Sequence, residues 1–491
     1  MRYIFFFLLL TTILGYGKDV ETTSITSTST IDAIRQELNS LKIPVLEFKM
    51  NEGTFPTYEI IEAPEGCIGK TIVNNEYVEG SLNINIEGIS LFESGEYASK
   101  KSGVRVKVRG NSSVGIDKKS YKIKLSKKAD LLFRNDKEKE DKEWVLLGYG
   151  SYFMNAYAGA ETGRICGAEW EPDGRHVAVI MNDKYMGTYY LMEAVGGGKH
   201  KVEIEKTGYI LENDLFWWKP GEVSFKSLYL PKFMGWTFKE PDTDDFNDMT
   251  LCDIEWAVSS AEYSLYNNSD YVERFDMEIF ARWGLAHDIM GSTDAGGSNI
   301  FIVKKNFDPL NPFESKFEAG PHWDLDSAFI TDSDTHAPVI IQNLFWIFKF
   351  MEKPEFQELY REIWKEVRPV LKEKLLSKLA LYVEENKDIY IARQIDCEKG
   401  LIAPEWNTSL ETDYDNICKW LDRRIEVLNK IILNETDNSA DKTVINTEEV
   451  SHTSGDNKIF FNVKGQRIPD QYSGLTIEID DRGKISKRLS R

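Results

Sequence analysis

Val104-Arg105-Val106-Lys107-Val108-Arg109, then Gly110-Asn111-Ser112-Ser113, then Tyr121-Lys122-Ile123-Lys124-Leu125 is the stretch on which the fold reading turns. Apolar and polar residues alternate on both sides of a polar loop that contains a glycine. Successive side chains of a strand point to opposite faces, so a period of two describes a half-buried β-hairpin. The pattern recurs at Val177–Met181 and Gly187–Met192, turned by Asn182-Asp183-Lys184. Between the hairpins, Asn155 to Gly163 predicts a short helix. The chain is strand-rich from about Val45 onward.

Past Glu212 the character changes. Phe275–Ile289, Pro354–Glu384 and Tyr414–Leu433 are amphipathic at helical spacing, the second through Phe356, Leu359, Ile363, Val367 and Leu371. Pro369 is expected to kink or split that helix, because its ring removes a backbone donor. Strands followed by helices predict an α+β protein of two lobes, strand-rich over 45–205 and helix-rich over 206–433. A polar leader (19–44), a polar linker (434–457) and a C-terminal tail (458–491) flank them. Within the tail, Phe460–Ile468 resembles the sorting tails of some exported bacterial proteins.

Composition narrows the function. The 491 residues include 80 acidic and 60 basic side chains, a net charge of −20, which disfavours a nucleic-acid partner. Met1-Arg2-Tyr3, the apolar run Ile4–Leu14 and Gly15-Tyr16-Gly17-Lys18 describe a signal peptide over 1–18. That run is too short to span a bilayer, so a secreted, periplasmic or cell-surface protein without stable membrane insertion is expected. Five scattered cysteines do not make a disulfide scaffold. Cys397 and Cys418 are the one pairing considered, and no Cys/His cluster suggests zinc.

The densest polar constellation lies between 287 and 329. His287-Asp288 ends a helix, Ser292–Asn299 forms a loop, Ile300–Lys304 a strand, and Gly320-Pro321-His322-Trp323-Asp324-Leu325-Asp326 follows an inserted stretch. Asp294 and Asn299 are spaced as in the D-x-x-x-x-N loop of phosphotransferases. That chemistry needs a carboxylate beside the acceptor hydroxyl, and an Asn with another carboxylate to hold Mg²⁺ on the phosphates. A capped turn explains Asp294 and Asn299 equally well. A salt bridge would explain the paired acids Asp324 and Asp326.

Several runs resemble signatures of the CotH (spore coat protein H) family: Arg109–Ser113, Lys118–Leu125, Trp144–Leu147, Asn182–Tyr189 with Glu193, Gly208–Glu212 and Gly320–Asp326. They keep family order from about 104 to 329. The resemblance implies an atypical, two-lobed protein-kinase-like fold and transfer of the γ-phosphate of ATP, with Mg²⁺, to Ser/Thr hydroxyls of an exported protein. By position, Asp294 would be the catalytic acid, Asn299 and Asp324 metal ligands and Asp326 a second carboxylate ligand. Lys118 or Lys119 would reach the phosphates, Gly110, Asn111 and Ser112 would offer backbone N–H groups, and Met192-Glu193 would lie at the adenine-binding strand. The chain departs from kinases in lacking G-x-G-x-x-G-x-V, V-A-I-K and H-R-D, and Glu161 is the nearest acidic partner for the lysine. A catalytically silent surface, adhesion or coat-assembly module on the same fold stays open beside the kinase. So does a carbohydrate hydrolase using Asp324 and Asp326 in a cleft lined by Trp217, Trp218 and Trp323.

Overall fold

The computed structural model describes residues 30–148, 153–227, 229, 233–241, 248–292, 295, 298–330, 345–433 and the strands of the tail. The chain opens with helix α1 (Ile31–Leu38), inside the segment read as a leader. Eight strands follow: β1 (Val45–Met50), β2 (Glu59–Glu62), β3 (Lys70–Val73), β4 (Val78–Ile86), β5 (Ile89–Glu93), β6 (Val104–Arg109), β7 (Ser120–Ala129) and β8 (Asp141–Leu147). Next come α2 (Asn155–Cys166), β9 (Gly174–Met181), β10 (Lys184–Glu193), β11 (Tyr209–Asp214), β12 (Ser224–Lys226) and β13 (Gly235–Glu240). The rest runs α3 (Asp248–Tyr266), α4 (Tyr271–Arg274), α5 (Met277–Met290), β14 (Ile300–Lys304), β15 (Phe317–Ala319), α6 (Ile347–Phe350), α7 (Pro354–Asn386), α8 (Ile389–Glu398) and α9 (Leu410–Leu433).

Both hairpins form as their alternation predicts. Val104 lies opposite Leu125 and Val108 opposite Tyr121, all buried, while Arg105, Lys107, Lys122 and Lys124 point outward. Asn182 and Asp183 turn β9 into β10 at φ 48° and 55°, the two-residue turn whose twist suits a hairpin. The architecture around these hairpins corrects the two-lobed, kinase-like expectation. β1 pairs in parallel with β9 and antiparallel with β4, which closes the order β1-β9-β10-β8-β7-β6-β4 into a seven-stranded barrel. Phe48, Ile84, Val106, Ile123, Trp144 and Val179 help to fill its interior, so it is a packed core with no ligand channel. A separate antiparallel sheet, β12-β13-β11-β14-β15, lies within the region expected to be helical. Nine helices accompany them among the described residues. The barrel and this sheet belong to one compact unit, Thr28–Glu435.

The outer face of the barrel supplies Val145, Leu147, Ala178, Ile180, Tyr190 and Met192 to the main core, shared with α2, α5 and α7. Asp276 caps α5 by accepting from Glu278 N and Ile279 N at 3.1 Å. Gly291 ends it at φ 62°, where a Cβ would lie 2.3 Å from the Trp420 ring. The 33-residue α7 runs through Pro369 as one helix, so the expected split does not occur. The tail forms its own sheet, β16 (Ile459–Asn462), β17 (Arg467–Ile468), β18 (Gly474–Ile479) and β19 (Ile485–Ser490), in the order β17-β16-β18-β19. All five cysteines are free thiols, so Cys397 and Cys418 are not paired. Among the described residues no helix is long and apolar enough to cross a membrane.

Candidate functional site

One end of the five-stranded sheet carries Asn299 and the chain that leads to Asp324. β11 ends at Asp214, β14 runs antiparallel to it and begins directly after Asn299, and β15 runs antiparallel to β14. Gly320 N donates to Phe301 O at 2.8 Å, so the chain leaving β15 at that end is Gly320–Asp324. Asp214 anchors the neighbouring loop: its carboxylate accepts from Ser298 Oγ, from Thr237 Oγ1 at 2.9 Å and from Phe216 N at 2.7 Å. Ser298 N in turn donates to Asn213 O at 2.9 Å, which seats Asn299 at the start of β14.

Asp324 has the left-handed backbone (φ 57°, ψ 55°) that a non-glycine residue adopts only when its surroundings hold it there. The residue is half-buried, and burial of its carboxyl pushes the pKa up while the charge of Arg109 pulls it down. The Arg109 guanidinium lies 5.4 Å from the centre of the Trp323 ring, so the barrel hairpin reaches the Trp-Asp-Leu-Asp element directly. Ala156, Ala160, Met192, Trp323 and Leu325 enclose a hollow of about 10 Å³ beside Asp324, room for about one water. Asn155 Nδ2 donates to Asp326 O at 3.2 Å and to Ala328 O, tying α2 to the same element.

Cations converge from the barrel face. Burial, with the nearby charges of Lys122 and Lys219, pushes the Lys107 ammonium down. Lys122 and Lys124 both reach Glu143, at 2.7 and 2.8 Å, and these charges hold its carboxyl down at about 2 despite burial. On the sheet, Glu212 pairs with Lys239, and burial pushes Glu212 up to about 7 against the pull of that ammonium. The electrostatic reach of Glu222 to Lys107, Lys219 and Glu212 links this pair to the barrel lysines. The sequence reading missed Lys107, Lys122, Lys219 and Lys239. Alternation alone showed Lys107 and Lys122 on the outward face of the hairpin, but nothing local showed what they face.

The residues named from sequence are distributed as follows. Asp294 lies outside the described residues. Asn299 is buried, and Asp324 and Asp326 are half-buried. Lys118 is buried with its Nζ 2.9 Å from Asp396 Oδ2, on α8. Lys119 Nζ donates to Ile116 O and lies 5.5 Å from the centre of the Tyr58 ring. Gly110 has φ 115°, and Asn111 Oδ1 accepts from Thr71 Oγ1 at 2.6 Å, just ahead of the short helix that contains Ser112. Met192 faces Val145 across β10 and β8. Glu193 pairs with Arg134 at 2.8 Å and accepts from Asp173 N at 2.9 Å. Glu161 pairs with Arg164 at 2.7 Å, not with Lys118 or Lys119.

Among the described residues no three His, Cys, Asp or Glu side chains cluster tightly enough to hold a metal by themselves. A site for Mg²⁺ needs less, because that ion keeps several waters and takes one or two carboxylates alongside phosphate oxygens. Asn299 and Asp324 fit such a role, and a divalent cation would offset the burial that disfavours ionised Asp324. No curated protein matches the chain. The family model described as CotH kinase protein matches residues 106–428, from β6 through most of α9. With that match spanning about two thirds of its length, the chain belongs to the CotH kinase family.

Proposed function

We propose that the protein transfers the γ-phosphate of ATP, with Mg²⁺, to Ser or Thr hydroxyls of exported proteins. The observation that supports this reading is that Asn299 and the chain leading into Asp324 leave the sheet at the same end, with the Arg109 charge acting on Asp324. Phosphoryl transfer depends on positioning and electrostatic stabilisation more than on covalent chemistry by the protein, so a barrel scaffold is no obstacle. Asn299 and Asp324 would hold the ion, which neutralises phosphate charge when bound. Lys107, Lys122 and Lys219 would receive the phosphates, since ammonium groups crowded together gain from an anion. Asp294 would accept the proton of the attacking hydroxyl. The apolar run Ile4–Leu14 supports export, and with it a substrate outside the cytoplasm.

The test is Mg²⁺-dependent binding of ATP by the purified full-length chain, followed by self-labelling from γ-labelled ATP. Asp324→Ala abolishes binding, whereas Asp294→Ala keeps binding and loses label transfer. Absence of nucleotide binding at about 1 mM ATP, an affinity worth only about 4 kcal/mol, replaces the enzyme with a silent surface module.

A further inference from the structure

A cavity of about 580 Å³ lies along the edge strand β15, walled by the end of α2, the loop 168–173, the segment 199–203 and α5. Its volume is that of a small-molecule site. Asn299, Asp324 and Arg109 do not line it, although Glu193 and Gly320–His322 do, so it opens beside the candidate phosphotransfer site rather than at its proposed metal ligands.

The lining decides what can bind. Seven Lys or Arg side chains face six Asp or Glu side chains. Most are paired: Asp173 takes Arg134 at 2.8 Å, Arg164 at 2.6 Å and Lys139 at 3.2 Å, Lys305 bridges Glu169 at 3.0 Å and Glu318 at 3.1 Å, and Lys199, Lys201 and Arg282 pair with carboxylates outside the lining. A net anion meets the six carboxylates and a net cation meets the seven cations, so neither gains from the field. An apolar ligand would strip water from these charges and return no hydrogen bonds. A zwitterion would have to pull partly buried pairs apart to make its own.

A hydroxyl does neither, since it donates to a carboxylate and accepts from an ammonium in the same place. Spare valences of both kinds are at hand. Lys305 uses two of its three N–H groups on Glu169 and Glu318, Lys139 uses one on Asp173, and each carboxylate keeps lone pairs. The half-buried Trp170 adds an aromatic side chain to the same wall. We propose that this cavity binds a neutral polyhydroxylated ligand, a sugar of one or two rings, held by the Lys305–Glu318 and Lys139–Asp173 pairs with Trp170 beside it.

Saturation-transfer NMR on the full-length chain tests this with glucose, galactose, mannose, fucose, N-acetylglucosamine, cellobiose and maltose, each up to about 10 mM, the weak end of specific binding. At least one sugar gives a saturable signal. The signal weakens about tenfold or more in Trp170→Ala and in Lys305→Gln, and is unchanged in Asp324→Ala. Lys305 is a partly exposed side chain, so Lys305→Gln folds even where the tryptophan variant does not. Silence from all seven sugars overturns the proposal. Binding that survives both cavity substitutions, or that disappears with Asp324→Ala, overturns it as well.

Discussion

Lys118 Nζ sits 2.9 Å from Asp396 Oδ2, joining the turn before β7 to α8 across 278 positions of sequence. Both side chains are out of solvent, at 3% and 0% exposure. Asp396 is completed by Thr188 Oγ1 at 2.6 Å, Thr188 N at 2.9 Å and Tyr185 Oη at 2.7 Å. The clasp fastens a C-terminal helix to the barrel through one of the two lysines that the family resemblance offers to ATP. Lys118→Met leaves an uncompensated buried carboxylate and is expected to cost about 3–5 kcal/mol in urea unfolding. Lys118→Met/Asp396→Leu recovers most of that loss. A lysine serving phosphate would give the opposite result, with normal stability and weakened ATP binding.

Gly163→Ala reverses the usual sign of a helix substitution. An interior Gly→Ala change normally adds about 1 kcal/mol to a helix. In α2 the new Cβ would lie 2.4 Å from Glu171 Oε1 and 2.9 Å from His322 Nδ1. Those two groups form a fully buried pair at 2.5 Å, and His322 Nε2 reaches Trp283 O at 3.1 Å. Burial works against the His322 charge, but Glu171 outweighs it and raises the imidazole pKa. The methyl has nowhere to go without parting the pair, so thermal denaturation is expected to show a loss of about 3 kcal/mol or more. A stabilised variant would mean that Glu171 and His322 are not locked together.

How far the sequence could be read follows from the range of each interaction. The β6–β7 hairpin was legible because Val104, Val106 and Val108 alternate with charged neighbours within six residues. The closure of the barrel was not, because Val45 pairs with Ala178 and with Asn85, and no local pattern encodes a partner so distant. The polar run Gly320–Asp326 stands out in the sequence as two acids flanking Leu325 beside a tryptophan. The surroundings of Lys118 were hidden for the same reason as barrel closure: the carboxylate that pairs with it lies in α8, far from it in sequence. Glu212 stood in view at the end of Gly208–Glu212, but its pKa is raised by burial in the sheet, against the pull of Lys239, and neither partner strand is local in sequence.

Glu262 gives the protein a pH dependence of known sign. It is fully buried on α3, accepts from Ser227 Oγ at 2.8 and 2.9 Å and from Trp346 Nε1 at 3.1 Å, and burial pushes its carboxyl up to about 7. The folded protein therefore holds this proton between about pH 4.5 and 7, where the unfolded chain has released it. Stability from this group is present below about pH 4.5 and is lost as pH rises through 7, for a total of about 3 kcal/mol. Glu262→Gln keeps the carbonyl acceptor and removes the ionisation. Urea unfolding from pH 5 to 8 should show wild type falling relative to Glu262→Gln by about that amount. Parallel curves would contradict it.

If Asp324 holds Mg²⁺ as proposed, the charge of Arg109 sets the acid limit of that binding. Burial raises the Asp324 pKa, and the Arg109 charge is what opposes it. A divalent cation binds the ionised carboxylate, so protons compete with it as pH falls toward that pKa. Arg109→Met removes the opposing charge, raises the Asp324 pKa further, and moves the acid limb of Mg²⁺-dependent nucleotide binding to higher pH. Arg109→Lys keeps the charge while giving up the planar group over Trp323, 5.4 Å from the ring centre, so its acid limb stays near wild type although affinity falls. Comparing the midpoint of the limb with the affinity on the alkaline plateau separates the two effects. Equal midpoints in Arg109→Met and wild type would mean that Arg109 acts through contact with the ligand and leaves the Asp324 carboxyl as it is.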